Sequence, residues 1–133
     1  MKFLIGIILV SLFSCINNGP NLSTNNIKSI TIITVDSNSY KNIDSSQVTA
    51  GEDIHNLVEK INSGKKDPIM IFLSRYLLYL NYSDGNSIEI QINGKGSGAI
   101  VVKNGCYDEN NLKDFIESLK SHYGGHPPKI QRY

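Results

Sequence analysis

The sequence predicts an α+β domain, an antiparallel sheet of four or five strands with two helices packed on one face. Three observations point there. Apolar runs on either side of Ser83-Asp84-Gly85, YLLYLNY before and SIEIQI after, form a strong hairpin signal. Ile54, Leu57, Val58 and Ile61, and again Leu112, Phe115, Ile116 and Leu119, recur at the spacing of one helix face. Ile27–Val35 and Ala99–Lys103 are β-branched and mostly alternating, as strands with one buried face are. One apolar stripe per helix and one apolar face per strand are satisfied together by a single two-layer core.

Charge narrows the partners. Thirteen Lys and Arg face twelve Asp and Glu over 133 residues. No dense basic cluster is present, and holding a phosphate backbone needs one, so nucleic acid is not an expected partner. Lys65-Lys66 is the one adjacent basic pair.

The N-terminus reads as a targeting segment. Lys2 precedes the apolar run LIGIILVSLF, which is too short to span a bilayer but suits a secretory signal core. The run ends in Leu12-Phe13-Ser14-Cys15. Here the sequence resembles bacterial lipoproteins, whose lipobox places a Leu three residues before the modified Cys and a small residue just before it. The resemblance implies that residues 1–14 are a signal peptide and that Cys15 carries acyl chains anchoring the chain in a membrane. More than one chain makes such an anchor stable. Because Ile16 rather than Asp follows Cys15, the resemblance also implies sorting to the outer membrane, facing the periplasm. The order of elements around Tyr82-Ser83-Asp84-Gly85 is similar to small domains of other bacterial lipoproteins, which implies no particular activity.

Cys15–Asn26 contains NNGPNLSTNN, polar and without apolar periodicity, and reads as a flexible tether. The eleven residues after Cys15 give a reach of about 18 Å. The domain proper is expected over residues 27–121. Its first strand is Ile27–Val35, followed by a turn at Asp36–Ser39 and a short return strand over Tyr40–Ile43. Thr49-Ala50-Gly51-Glu52 has capping-box spacing ahead of the first helix, which Gly64 ends. The next strand is expected from about Leu73, with Ile69–Phe72 a separate extended piece.

Turn length then decides which hairpin side chains are buried. A two-residue loop would set Leu80 and Leu78 opposite Glu89 and Gln91. A three-residue loop, with Gly85 left-handed, pairs Leu80 with Ile88, Leu78 with Ile90 and Tyr76 with Ile92, and burial selects it. Asn104-Gly105 signals a second hairpin returning Cys106 and Tyr107. Asp108 is expected to cap the second helix, with Tyr107 and Leu112 as a staple. Residues 122–133 read as a loose tail.

No catalytic set emerges. Gly94–Gly98 (GKGSG) lies between strands and lacks P-loop spacing. His122 and His126 stand four apart, but Gly124-Gly125 breaks the helix that would align them, so no metal site is expected. His55 suits a surface pair with Glu59. Cys106 has no recognisable base and reads as a half-buried small hydrophobe. No cofactor is expected. In the chosen register Leu77, Tyr79, Glu89 and Gln91 share the sheet face away from the helices, with Val101 beside them. That face is the expected docking surface for a protein partner. The leading reading is a membrane-anchored, non-catalytic binding domain. Its rivals are an immunity or inhibitor lipoprotein against a toxin or hydrolase, and a small enzyme whose site forms only in three dimensions.

Overall fold

Gly85 has φ 91°, and Gly85 N–H donates to Tyr82 O at 3.1 Å while Tyr82 N–H donates to Asn86 O at 2.9 Å. This is a three-residue turn over Ser83–Gly85 with a left-handed glycine, a conformation without steric cost only for Gly. The strands it joins pair Tyr76 with Ile92, Leu78 with Ile90 and Leu80 with Ile88. The register expected from burial is the register found.

The computed structural model describes residues 19–36, 38–39, 41–66, 74–93, 99–102, 105–109 and 111–125. Along the chain these form β1 (Ile27–Val35), β2 (Asn42–Val48), α1 (Gly51–Asn62), β3 (Lys65–Lys66), β4 (Ser74–Tyr82), β5 (Ser87–Asn93), β6 (Ala99–Val102), β7 (Gly105–Asp108) and α2 (Leu112–Tyr123). The strands order as β2-β1-β4-β5-β6-β7-β3, each pair antiparallel. Long strands β2-β1-β4-β5 make the body. The shorter β6-β7-β3 extend it, joined through the pairs Gln91–Val101 and Ile92–Ile100. The fold is α+β, as expected, and the sheet is wider than four or five strands because β3 and the short β7 join it.

One face of the sheet supplies Ile30, Ile32, Val48, Tyr76, Leu78, Leu80, Ile90, Ile92, Ile100 and Val102 to a single core. Ile54, Leu57, Val58 and Ile61 of α1 and Leu112, Ile116 and Leu119 of α2 close it from above. Phe115 is only partly buried, under the Lys60 ammonium at 5.7 Å from the ring centre.

Several boundaries move. Gly19–Asn26 is not free tether. Leu22 is buried in the core, its N–H donates to Asn62 Oδ1 at 2.6 Å, and its carbonyl accepts from Asn62 Nδ2 at 2.8 Å. Composition hid this, because one apolar residue in a polar run carries no periodicity. At the other end, the expected tail begins too early. His122 and Tyr123 are helical, and Gly124 O accepts a 2.8 Å hydrogen bond from Ser46 Oγ.

The return strand runs Asn42–Val48 rather than Tyr40–Ile43. Neither helix has the cap expected of it: Ala50 and Asn111 occupy the N-cap positions without side-chain cap hydrogen bonds. In the second hairpin Val102 pairs with Gly105 and Val101 with Cys106. That register sets Tyr107 against Ile100 on the core side, and a Cβ at Gly105 would lie 2.6 Å from the Tyr107 hydroxyl. The ring packs over that glycine, and a larger residue there would make it shift. Ile69–Phe72, Gly94–Gly98 and His126 lie outside the described residues.

If residues 19–26 are integral to the domain, Leu22→Ala should cost about 2–3 kcal/mol in urea unfolding, near the low end for a buried Leu. A free tether would give no change.

Candidate docking face

Among the described residues, no helix covers the second face of the sheet. Alternation places on it the row Ser45–Ile33–Leu77–Gln91 and, one step along, Gln47–Thr31–Tyr79–Glu89, with Cys106 on the same side farther across the sheet. The four residues singled out from the sequence therefore come together. Leu77 stands opposite Gln91, and Tyr79 opposite Glu89.

Their exposure is uneven. Glu89 is exposed, whereas Leu77, Tyr79 and Gln91 are half-buried between cross-strand neighbours. Ile43, at 51 % exposure, is the exposed large hydrophobic residue among those described. The face is polar at its centre. Thr31 Oγ1 donates to Gln47 Oε1 at 3.1 Å, and Asn81 Nδ2 donates to Ser29 Oγ at 3.1 Å and Thr31 Oγ1 at 3.0 Å. The Tyr79 hydroxyl reaches toward Glu89 Oε1 at 3.5 Å. Such a surface offers apolar area at Ile33, Leu77 and the Tyr79 ring, framed by amide, hydroxyl and carboxylate groups. That mixture is typical of protein interfaces.

Catalysis finds little support in the same geometry. Cys106 is half-buried and alternates with core-facing Tyr107, which puts it on the helix-free side. His55 and His122 belong to the helix layer. The sheet therefore stands between the thiol and both described histidines, and a base must lie within hydrogen-bond reach of its nucleophile. His55 and Glu59 are both exposed, and the expected pair between them does not form. Among the described residues no three of His, Cys, Asp and Glu gather as a metal site.

The helix side holds a polar row that sequence reasoning missed. Asp44, Thr34 and Tyr76 are successive cross-strand neighbours on β2, β1 and β4. Lys120 of α2 covers them, its ammonium 3.7 Å from Asp44 Oδ1 and 5.3 Å from the Tyr76 ring centre. Thr34 Oγ1, Asp44 Oδ1 and the Tyr76 hydroxyl are buried without hydrogen-bond partners. The parity of Thr34 with Ile30 and Ile32 was the available signal, since a polar residue in an inward position is the exception.

A second polar group ties the helices together. The Tyr123 hydroxyl donates to Asp53 Oδ2 at 2.6 Å and accepts from Ala50 N–H at 3.2 Å. The bond to Asp53 holds the phenol above its usual value of 10.0. In the folded chain ionisation is thus deferred, so this contribution is complete below about pH 10 and is lost as pH rises through the raised value.

No family model, no curated protein and no solved structure matches this chain. Among the described residues no helix is long and apolar enough to cross a membrane.

Two expectations follow. Tyr76→Phe removes an unpartnered buried hydroxyl and should leave stability unchanged or raise it by up to about 2 kcal/mol in urea unfolding. A loss would mean that the hydroxyl is bonded in solution. Tyr123→Phe should lower stability at neutral pH and flatten the fall in stability above pH 10, read by thermal melts across pH.

Proposed function

We propose that the chain is a bacterial lipoprotein, anchored in the outer membrane through acyl chains on Cys15, whose α+β domain is a non-catalytic binding module facing the periplasm. The anchor is supported by the order of Lys2, the apolar run and Leu12-Phe13-Ser14-Cys15. The binding role is carried by one observation. Leu77 and Tyr79, two large side chains with no helix over them among the described residues, share a face with Glu89 and Gln91. Aromatic rings with a satisfied hydroxyl are favoured at interfaces, because they bury area without stranding a polar group. A protein is the partner class that suits a broad, mixed sheet face.

The two halves of the proposal are tested separately. Cys15→Ala should abolish metabolic labelling with a clickable fatty acid and release the protein from the membrane fraction. Leu77→Ser with Tyr79→Ser should leave the melting temperature within a few degrees of wild type while abolishing cross-links to the periplasmic partner. Retained cross-linking, or a domain that no longer folds, would remove this face from consideration.

A further inference from the structure

We infer that the β3 edge of the sheet is the surface of the domain that lies against the phospholipid headgroups; this rests on the anchor at Cys15. The inference begins at Gly19. A Cβ there would overlap the Asn62 carbonyl oxygen and come within 3.4 Å of Gly64 O, so the chain enters the fold pressed against the C-terminal turn of α1. Three residues later Leu22 is fixed by its two hydrogen bonds to the Asn62 side chain and by burial. The entry point is therefore rigid, unlike the long tether that composition suggests.

Only four peptide steps separate Cys15 from Gly19, which span at most about 14 Å even fully extended. The acylated residue sits at the headgroups, so the C-terminal end of α1 is held within that distance of them. Lys65 and Lys66 of β3 follow directly and are exposed. Across the sheet order β3 and β2 are opposite edges, six strand spacings or about 29 Å apart. A body of that width, held by one edge on so short a leash, presents that edge to the membrane and the other away from it.

Charge is not the cause. Asp108 stands opposite Lys65, and the Lys60 ammonium is 3.9 Å from Glu109, so the edge is mixed rather than basic. The two ammonium groups pair with lipid phosphates because the entry point places them there.

The test uses the acylated full-length protein in vesicles of phosphatidylcholine and phosphatidylglycerol, with lysine labelling by a membrane-impermeant reagent read by mass spectrometry. Compared with detergent micelles, Lys65 and Lys66 should lose most of their reactivity on vesicles, while Lys41, beside β2, keeps its own. Loosening the entry with Leu22→Ser and Asn62→Ala should restore Lys65 and Lys66 without detaching the protein. Vesicle-bound protein in which all three lysines stay equally reactive, or in which Lys41 is the protected one, overturns the orientation alone. Protein that does not float with the vesicles overturns the anchor, and the orientation with it.

Discussion

Gly85 sets the parity of the central hairpin, and parity is what the remaining elements inherit. At φ 91° it allows three residues to close β4 onto β5, which fixes Leu78, Leu80, Ile90 and Ile92 on one side. β4 then meets β1 with Ile30 opposite Leu80 and Ile32 opposite Leu78. Slipping either pairing by one residue would turn an entire strand's apolar set to solvent, so the turn and the core enforce each other. The helices have a surface to cover only because that alternation is kept through every strand of the body.

The helix ends show a different source of order. Both helices start without a side-chain cap, although such a cap is commonly worth about 1 kcal/mol. Contacts from distant parts of the chain fasten them instead. Tyr123 bridges Asp53 and Ala50 at the start of α1, and Ser46 and Asp44 hold the end of α2 through Gly124 and Lys120. Most of the stability of a short helix comes from tertiary packing rather than from its own sequence, and here even the termini follow that rule. The polar row of Asp44, Thr34 and Tyr76 lies where α2 meets the sheet, so the Thr34 and Tyr76 hydroxyls, buried without hydrogen bonds, weigh against the same contact.

What could be read from the sequence divides along that line. The hairpin register, both apolar helix stripes and the strands β1 and β6 were legible, because each depends on periodicity or on a turn residue within a few positions. Illegible features depend on partners far along the chain. Leu22 looked like part of a tether until Asn62, forty residues on, supplied both of its hydrogen bonds. Thr49 and Glu52 have capping spacing, yet Tyr123, seventy-three residues from Ala50, takes over that end of the helix. The packing of the Tyr107 ring over Gly105 likewise has no local signature. On the candidate face, alternation predicted correctly which residues share a side. It said nothing of how far cross-strand neighbours would bury Leu77 and Tyr79.

The way the chain enters the fold also bears on what the domain can reach. A flexible tether would let any surface meet any partner, and face and edge would carry no functional meaning. With Leu22 locked to Asn62, the helix-covered side is occupied by α1 and α2, and the β3 edge adjoins the entry point. Among the described residues, the helix-free face and the β2 edge remain. They are contiguous, since Ser45 and Gln47 of β2 continue the rows that contain Ile33, Leu77 and Tyr79. Ile43, exposed at its side chain, lies on that same strand. A partner gripping this corner would meet apolar area from Ile43, Ile33 and Leu77, and could extend the sheet along β2, an edge strand among the described residues, a recurrent mode of peptide recognition. If the proposed anchor at Cys15 holds the chain, this corner lies across the sheet from the entry point at Gly19 and faces the aqueous side.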